Sequence, residues 1–207
     1  MQFRLIYDGP LRSTQREPQG SQIDPRHEHK HAIRRALHPQ LKQLWEINKN
    51  LCGPDMWENV ATWGAAAAHP PKDITELSQA HSMYGWNFVP LVTEPMDLVC
   101  NLQILLLRRG NPGKVIQSGD IDNRLKTLFD ALTLPTPHDR YADKFPQDGE
   151  SPMFCLLADD RLVTHVSVET DQLLIPSEQS IEDSNVHIII NVKIRPYTLR
   201  LYNAHFG

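Results

Sequence analysis

The sequence has few cysteines and no long apolar run. Its three cysteines, Cys52, Cys100 and Cys155, are widely spaced and form no C-x-x-C pair. This usage argues against a disulfide framework and is typical of a reducing compartment. No apolar stretch approaches the length of a membrane span, and the N-terminal apolar residues are too few for a secretory signal. We therefore predict a cytoplasmic protein with reduced core thiols and no membrane partner.

The remaining composition is ordinary for a soluble globular chain. Of 207 residues, 40% are hydrophobic and 22% are charged, while sixteen prolines indicate long irregular connections. This length suits one domain with a substantial core. We predict a single domain over residues 1–207, with residues 49–87 and 133–153 as inserted segments or long loops.

The net charge of −4 hides an uneven distribution. Residues 1–50 hold nine Lys/Arg against five Asp/Glu, a balance of +4, whereas residues 51–207 hold twelve against twenty, a balance of −8. Basic side chains near the start of a predicted helix could contact phosphates, or could simply be its solvated face. The candidate DNA-binding residues are Arg26, Lys30, Arg34 and Arg35 on that helix, and Arg108 and Arg109 after a predicted strand.

Hydrophobic periodicity predicts an α/β (α+β) fold, a mixed β-sheet with helices packed on it. A helix beginning near Glu28 should break or kink at Pro39, and Asp73 should cap a short helix. Pro90 suggests that its strand lies at a sheet edge. The predicted strands are 2–8, 88–93, 98–107 and 186–194, and a further helix covers 121–132.

The densest group of charged and amide side chains lies at the start of that last helix. Asp120 and Asp122 are one residue apart, and either can cap the helix. Such carboxylates can also hold Mg²⁺ beside a phosphate, and Lys126, one turn beyond Asp122, could stabilise charge on phosphate oxygens. A helix cap with a solvated salt bridge explains the same spacing. The helix buries one stripe of side chains, Leu125, Leu128, Phe129 and Leu132, and exposes Asn123, Lys126 and Asp130.

A rival metal motif lies at the start of the first helix. The run from His27 to His31 satisfies H-E-x-x-H, in which two histidines one turn apart can ligate zinc while Glu28 acts as a base. Its neighbours are charged and no separate third ligand is indicated. We favour a phosphate-facing or solvated helix start over a zinc protease.

Two ordered runs resemble the RusA-like Holliday junction resolvase family. That family shows D-x-D-N-x-x-K, then x-x-x-D-A-L, then a D-D pair before a hydrophobic strand. The resemblance covers about residues 98–195, although the connection from Leu132 to Asp159 is longer than the family's. The matching runs are Gly119-Asp120-Ile121-Asp122-Asn123-Arg124-Leu125-Lys126, Leu128-Phe129-Asp130-Ala131-Leu132 and Ala158-Asp159-Asp160-Arg161-Leu162-Val163.

This resemblance implies a Mg²⁺-dependent endonuclease, with Mn²⁺ as an alternative ion, that acts as a homodimer and nicks four-way DNA junctions in recombination and repair. It also implies a small α/β fold. Two alternatives stay open: a non-catalytic DNA-binding member of the same fold, and a DxD enzyme acting on a nucleotide sugar or phosphate. The implied metal ligands are Asp120, Asp122 and Asp160, with Lys126 needed for cleavage and Asp159 and Asn123 as further candidates.

Overall fold

The structure is a computed structural model that describes residues 1–12, 26–48, 51, 73–109, 121–139, 144–174 and 185–207. The strands are β1 (Gln2–Pro10), β2 (Ser82–Met83), β3 (Trp86–Val92), β4 (Leu98–Arg108), β5 (Met153–Leu157), β6 (Val163–Gln172) and β7 (Asn185–Pro196). The α-helices are α1 (His27–Ile47), α2 (Ile74–Ala80) and α3 (Ile121–Leu132). Short 3₁₀ helices cover Glu94–Met96, Pro137–Asp139, Asp160–Leu162 and Leu201–Phe206.

The strands form two mixed sheets. The four-stranded sheet has the order β1-β7-β4-β6, in which β7 is antiparallel to β1 and β4, and β6 is parallel to β4. The three-stranded sheet has the order β2-β3-β5, with β3 parallel to β5. The predicted fold class, a mixed sheet with helices packed on it, is confirmed.

One face of the four-stranded sheet forms the core together with the helices. Alternate strand residues such as Leu5, Ile104 and Ile190 are buried there, as strand periodicity requires. Helix α1 adds a stripe at helical spacing that includes Ile33 and Leu37. Phe154, Leu156 and Leu157 of β5 and the buried apolar residues of α3 join the same core, so α1 and α3 lie side by side above one sheet face. Met153 and Cys155 of β5 instead pack with Trp86 and Phe88 in a second, smaller cluster.

Two predictions about prolines need correction. Helix α1 continues through Pro39 as one element, so the predicted break is wrong. Buried Leu37 and Leu41 anchor both sides of the proline, and the Gln40 side chain bonds the backbone of β1 at Ile6 with donor–acceptor distances of 2.7 and 2.9 Å. Packing therefore outweighs the lost backbone hydrogen bond.

Strand β3 is an edge only in part. It lies between β2 and β5 in strand order, but β2 pairs with it no further than Asn87. At Pro90 the described ladder partner is Cys155 of β5 alone. On the β2 side of β3, Pro90 has no described strand partner, so its missing N–H costs no ladder hydrogen bond there.

Two of the three cysteines lie in the described part of the chain. Cys100 and Cys155 are free and buried, and burial raises the pKa of each thiol to about 12. Cys52 lies outside the described residues. None of the described helices is long and apolar enough to cross a membrane.

Two histidines of α1 are buried in neutral form. His38 Nδ1 accepts a hydrogen bond from the Phe154 backbone N–H at 2.9 Å, so its other nitrogen donates to Gly149 O at 3.0 Å. Burial lowers the pKa of His38, and burial with nearby Arg35 lowers that of His31 to about 4. Protonation is thus disfavoured in the folded chain.

Acid should therefore destabilise the protein. A lowered folded-state pKa means that unfolding takes up protons, so stability is complete above the unfolded pKa of 6.5 and is lost as pH falls towards about 4. For His31 the full effect is about 3 kcal/mol. Urea unfolding at pH 7 and pH 4.5 should show a smaller pH dependence for His31→Phe than for the wild type. The exposed His165→Gln is the control, and an unchanged dependence in His31→Phe would contradict the assignment.

Candidate metal and nucleic-acid site

The start of α3 presents a polar surface to solvent. Helix α3 spans Ile121–Leu132, as predicted, and Asp122, Asn123 and Lys126 are all exposed on it. Leu128 and Leu132 are buried on the opposite side. Asp122 lies inside the first turn, where the free backbone N–H groups favour a negative charge. Asp120 lies outside the described residues, so its predicted capping role does too.

Contacts of α3 fix which end of the sheet this surface occupies. Arg124 Nη1 donates to Leu11 O at 2.5 Å, and Leu11 directly follows β1. The last residue of β1, Pro10, pairs with Asn185, and the neighbouring Val186 pairs with Arg108 at the end of β4. The start of α3 therefore lies at the end of the four-stranded sheet where β4 ends.

The second acidic pair follows β5. Asp159 caps the 3₁₀ helix Asp160–Leu162, and its carboxylate receives the Arg161 guanidinium through two hydrogen bonds of 3.0 Å. These bonds from Arg161 hold the Asp159 pKa below its usual range. Asp160 is exposed. Asp160 is thus the better ligand candidate of the two, because Arg161 already occupies the Asp159 carboxylate.

One chain does not bring Asp160 to Asp122. The strand that follows Asp160 begins at Val163, which pairs with Cys100 near the start of β4, whereas α3 starts near the end of β4. Arg108 lies eight residues after Cys100 on β4, a distance of about 26 Å along the strand. The two carboxylates are therefore on the order of 20 Å apart, whereas two ligands of one Mg²⁺ must each reach within about 2.1 Å of it.

The far end of α3 supports this separation. Leu134, just beyond the helix, donates its backbone N–H to Leu157 O at 3.1 Å, so β5 and the acidic pair adjoin the C-terminal end of α3. Asp122 is ten residues before Leu132, about 15 Å along the helix. Among the described residues, no three His, Cys, Asp or Glu side chains are grouped to hold a metal.

The predicted basic strip on α1 faces inward. Lys30 and Arg34 are only 3% and 2% exposed, and both form ion pairs with the buried Asp139. Arg35 pairs with Glu150, its Nε lying 2.7 Å from Oε1. Arg26 donates to Thr127 on α3 at 3.3 Å. The interpretation of these four residues as a phosphate-contacting surface is therefore wrong for Lys30 and Arg34, and Arg26 and Arg35 already have protein partners.

These basic side chains instead hold α3 in place. Arg34 donates to Asp130 O at 2.5 Å and to Thr133 O at 3.1 Å, which are carbonyl groups at the end of the helix. A cation at a helix C-terminus also complements the helix dipole. Burial raises the pKa of Asp130, and Lys30 and Arg26 oppose that shift. The basic residues at every fourth position, Arg26, Lys30 and Arg34, therefore hold α1 against α3.

A second group of basic residues lies at the Asp122 end of the sheet. Arg12 is exposed and follows Leu11, the residue bonded by Arg124. Arg108 Nε and Arg109 Nε and Nη2 have no hydrogen-bond partner among the described residues. Arg108 and Arg109 were predicted from their loop, whereas Arg12 was missed because a single arginine in a polar segment carries no periodic signal.

The histidines of the H-E-x-x-H run have other surroundings. The His31 ring is buried and meets Trp86 edge-on, with ring centroids 5.6 Å apart. His27 Nδ1 lies 3.1 Å from Lys144 Nζ. The Lys144 ammonium lies beside the His27 ring, and Trp86 packs against the His31 ring. These surroundings do not fit a zinc site.

No family model, curated protein or solved structure matches the chain.

Proposed function

We propose that the chain is a Mg²⁺-dependent, structure-selective DNA endonuclease that acts as a homodimer on four-way junctions. The observation that carries the proposal is the exposed group of Asp122, Asn123 and Lys126 on successive turns at the start of α3. These residues stand in the D-x-D-N-x-x-K order that resembles the RusA-like family. Cytoplasmic location and a role in recombination and repair belong to the same proposal.

The residues fit the chemistry of phosphodiester hydrolysis. Asp120 and Asp122 would hold Mg²⁺, which takes one or two carboxylates and keeps positions for water and substrate phosphate. When bound, the ion would neutralise phosphate charge and activate water. Lys126 lies one helical turn from Asp122 and stabilises negative charge on the phosphate oxygens. The exposed Arg12 and the half-buried Arg108 and Arg109, at the same end of the sheet, would contact flanking phosphates.

In this proposal Asp160 reaches the ion from a second copy. A single chain separates Asp160 from Asp122 by on the order of 20 Å. A two-fold dimer can pair opposite ends of two chains, and it generates two equivalent mixed sites. Two symmetric nicks in a four-way junction require two such sites. A homodimer with shared sites supplies both of them.

A heterodimer of two inactive variants tests the shared site. Asp122→Asn and Asp160→Asn chains, co-expressed with different tags, should form a heterodimer with one intact site and one doubly altered site. We expect it to nick one strand of a synthetic four-way junction, at about half the wild-type rate. The matched control is Asp122→Asn with Lys126→Ala, whose changes lie on the same helix and leave no intact site.

The outcomes separate the parts of the proposal. An Asp122→Asn/Asp160→Asn heterodimer as inactive as its parents would exclude a shared site. Tight junction binding by the wild-type protein without cleavage in Mg²⁺ or Mn²⁺ would support the non-catalytic alternative. Stabilisation by a nucleotide only in the presence of metal, without junction cleavage, would support the nucleotide-dependent alternative.

A further inference from the structure

The four-stranded sheet has a second face that the described helices leave open. Residues alternate between the two faces along each strand. The inward residues join the core with α1 and α3, whereas Ile6, Leu105 and Ile189 on the same strands are absent from that core. Ile6 is 44% exposed. This open face is defined by the outward residues of β1, β4, β6 and β7.

An apolar row crosses the middle of the open face. Ile6 pairs with Ile189, and Ile189 pairs with Leu105, so the three side chains stand next to one another on adjacent strands. On one side of this row Asn191 donates to Gln103 at 2.8 Å and accepts from Gln2 at 3.1 Å. The row therefore has apolar atoms at its centre and bonded amides beside it, the composition of an interface core with a polar border.

Charges divide the open face into two halves. Acidic residues lie towards the end of β4 at Arg108, and basic residues lie towards its start. All six side chains are exposed. The acidic half carries Asp8, Glu169 and Asp171, and the basic half carries Arg4, Lys193 and Arg195.

We infer that the open face binds the open face of a second copy of this chain. A two-fold axis in the interface, perpendicular to the strands, sets the acidic half of each copy against the basic half of the other and brings the apolar rows together. Such a contact is isologous, since the same patch serves both copies. With the axis parallel to the strands, acidic residues would face acidic residues, so charge selects the first arrangement.

The size of the face suits this occupant. Four strands of nine to twelve residues cover about 700 Å². A specific protein interface buries about 800 Å² on each partner. The contact differs from the one that would bring Asp160 to Asp122, because α3 lies on the helix-covered side of the sheet. The inference therefore stands whether or not the chain cuts DNA.

Charge reversal provides the test. One variant reverses the acidic half (Asp8→Lys, Glu169→Lys, Asp171→Lys), and the other reverses the basic half (Arg4→Glu, Lys193→Glu, Arg195→Glu). Each variant alone has like charges on both halves and should show half the wild-type mass by light scattering. An equal mixture of the two should recover the wild-type mass, because every acidic half again meets a basic half.

Two controls make the result decisive. Adding Ile189→Asp to both variants should prevent recovery in the mixture, which excludes association through net charge alone. Circular dichroism and junction cleavage of the variants should match the wild type, so a failure here is distinguishable from failure of the proposed function. Equal masses for wild type and variants, or no recovery on mixing, would overturn the inference.

Discussion

Replacing Asp122 by asparagine is expected to reduce Mg²⁺-dependent cleavage of a synthetic four-way junction by about 100-fold or more. Loss of a residue that only supports a metal ligand commonly costs between about 10- and 100-fold, so loss of a ligand should cost at least as much. The substitution keeps the side-chain shape and removes the charge that Mg²⁺ requires. Single-turnover cleavage rates measure the effect.

The same substitution should leave the fold intact. Asp122 is exposed in the first turn of α3, so its charge contributes only about 0.3–1 kcal/mol through the helix dipole. Asp148→Asn, an exposed position in the loop before β5, is the matched control and should cleave normally. Undiminished cutting by Asp122→Asn would falsify the assignment of this carboxylate.

Replacing Asp139 by alanine should have the largest effect on stability. Asp139 is fully buried and pairs with Lys30 and Arg34, which are also buried. Removing the carboxylate takes away the buried ion-pair partner that Lys30 and Arg34 share, while Lys30 keeps its longer 3.7 Å contact with Asp130. Breaking a buried pair in this way costs about 3–5 kcal/mol. The free energy of unfolding in urea provides the measurement.

The exposed Asp148→Ala change in the same loop is the control. Surface substitutions away from specific contacts usually alter stability by about 0.5 kcal/mol or less. A loss below about 1 kcal/mol for Asp139→Ala would show that the ion pairs contribute little. The control separates loss of the buried carboxylate from a general effect of changing the loop.

Local patterns predicted much of the fold. The apolar run of β4, the alternation of β7 and the stripe on α3 are short-range signals, and the structure has these elements where the sequence predicts them. Continuity of α1 through Pro39 was missed, because it depends on packing of Leu37 and Leu41 against a sheet that the local sequence does not reveal.

The candidate site was only partly predictable for a similar reason. The exposure of Asp122 and Lys126 follows from helical spacing alone. The inward direction of Lys30 and Arg34 depends on Asp139, a partner about a hundred residues away. The separation of Asp160 from Asp122 depends on strand register, which no motif encodes.

The order of strands in the four-stranded sheet also affects synthesis of the protein. Strand β7 lies between β1 and β4, yet it is the last strand of the sheet to leave the ribosome. At about 5–20 residues per second, β1 waits on the order of 10–40 seconds for its partner. Until β7 is inserted, one edge of the apolar strand β4 has no strand partner. We therefore expect chaperones to bind the nascent chain during this interval.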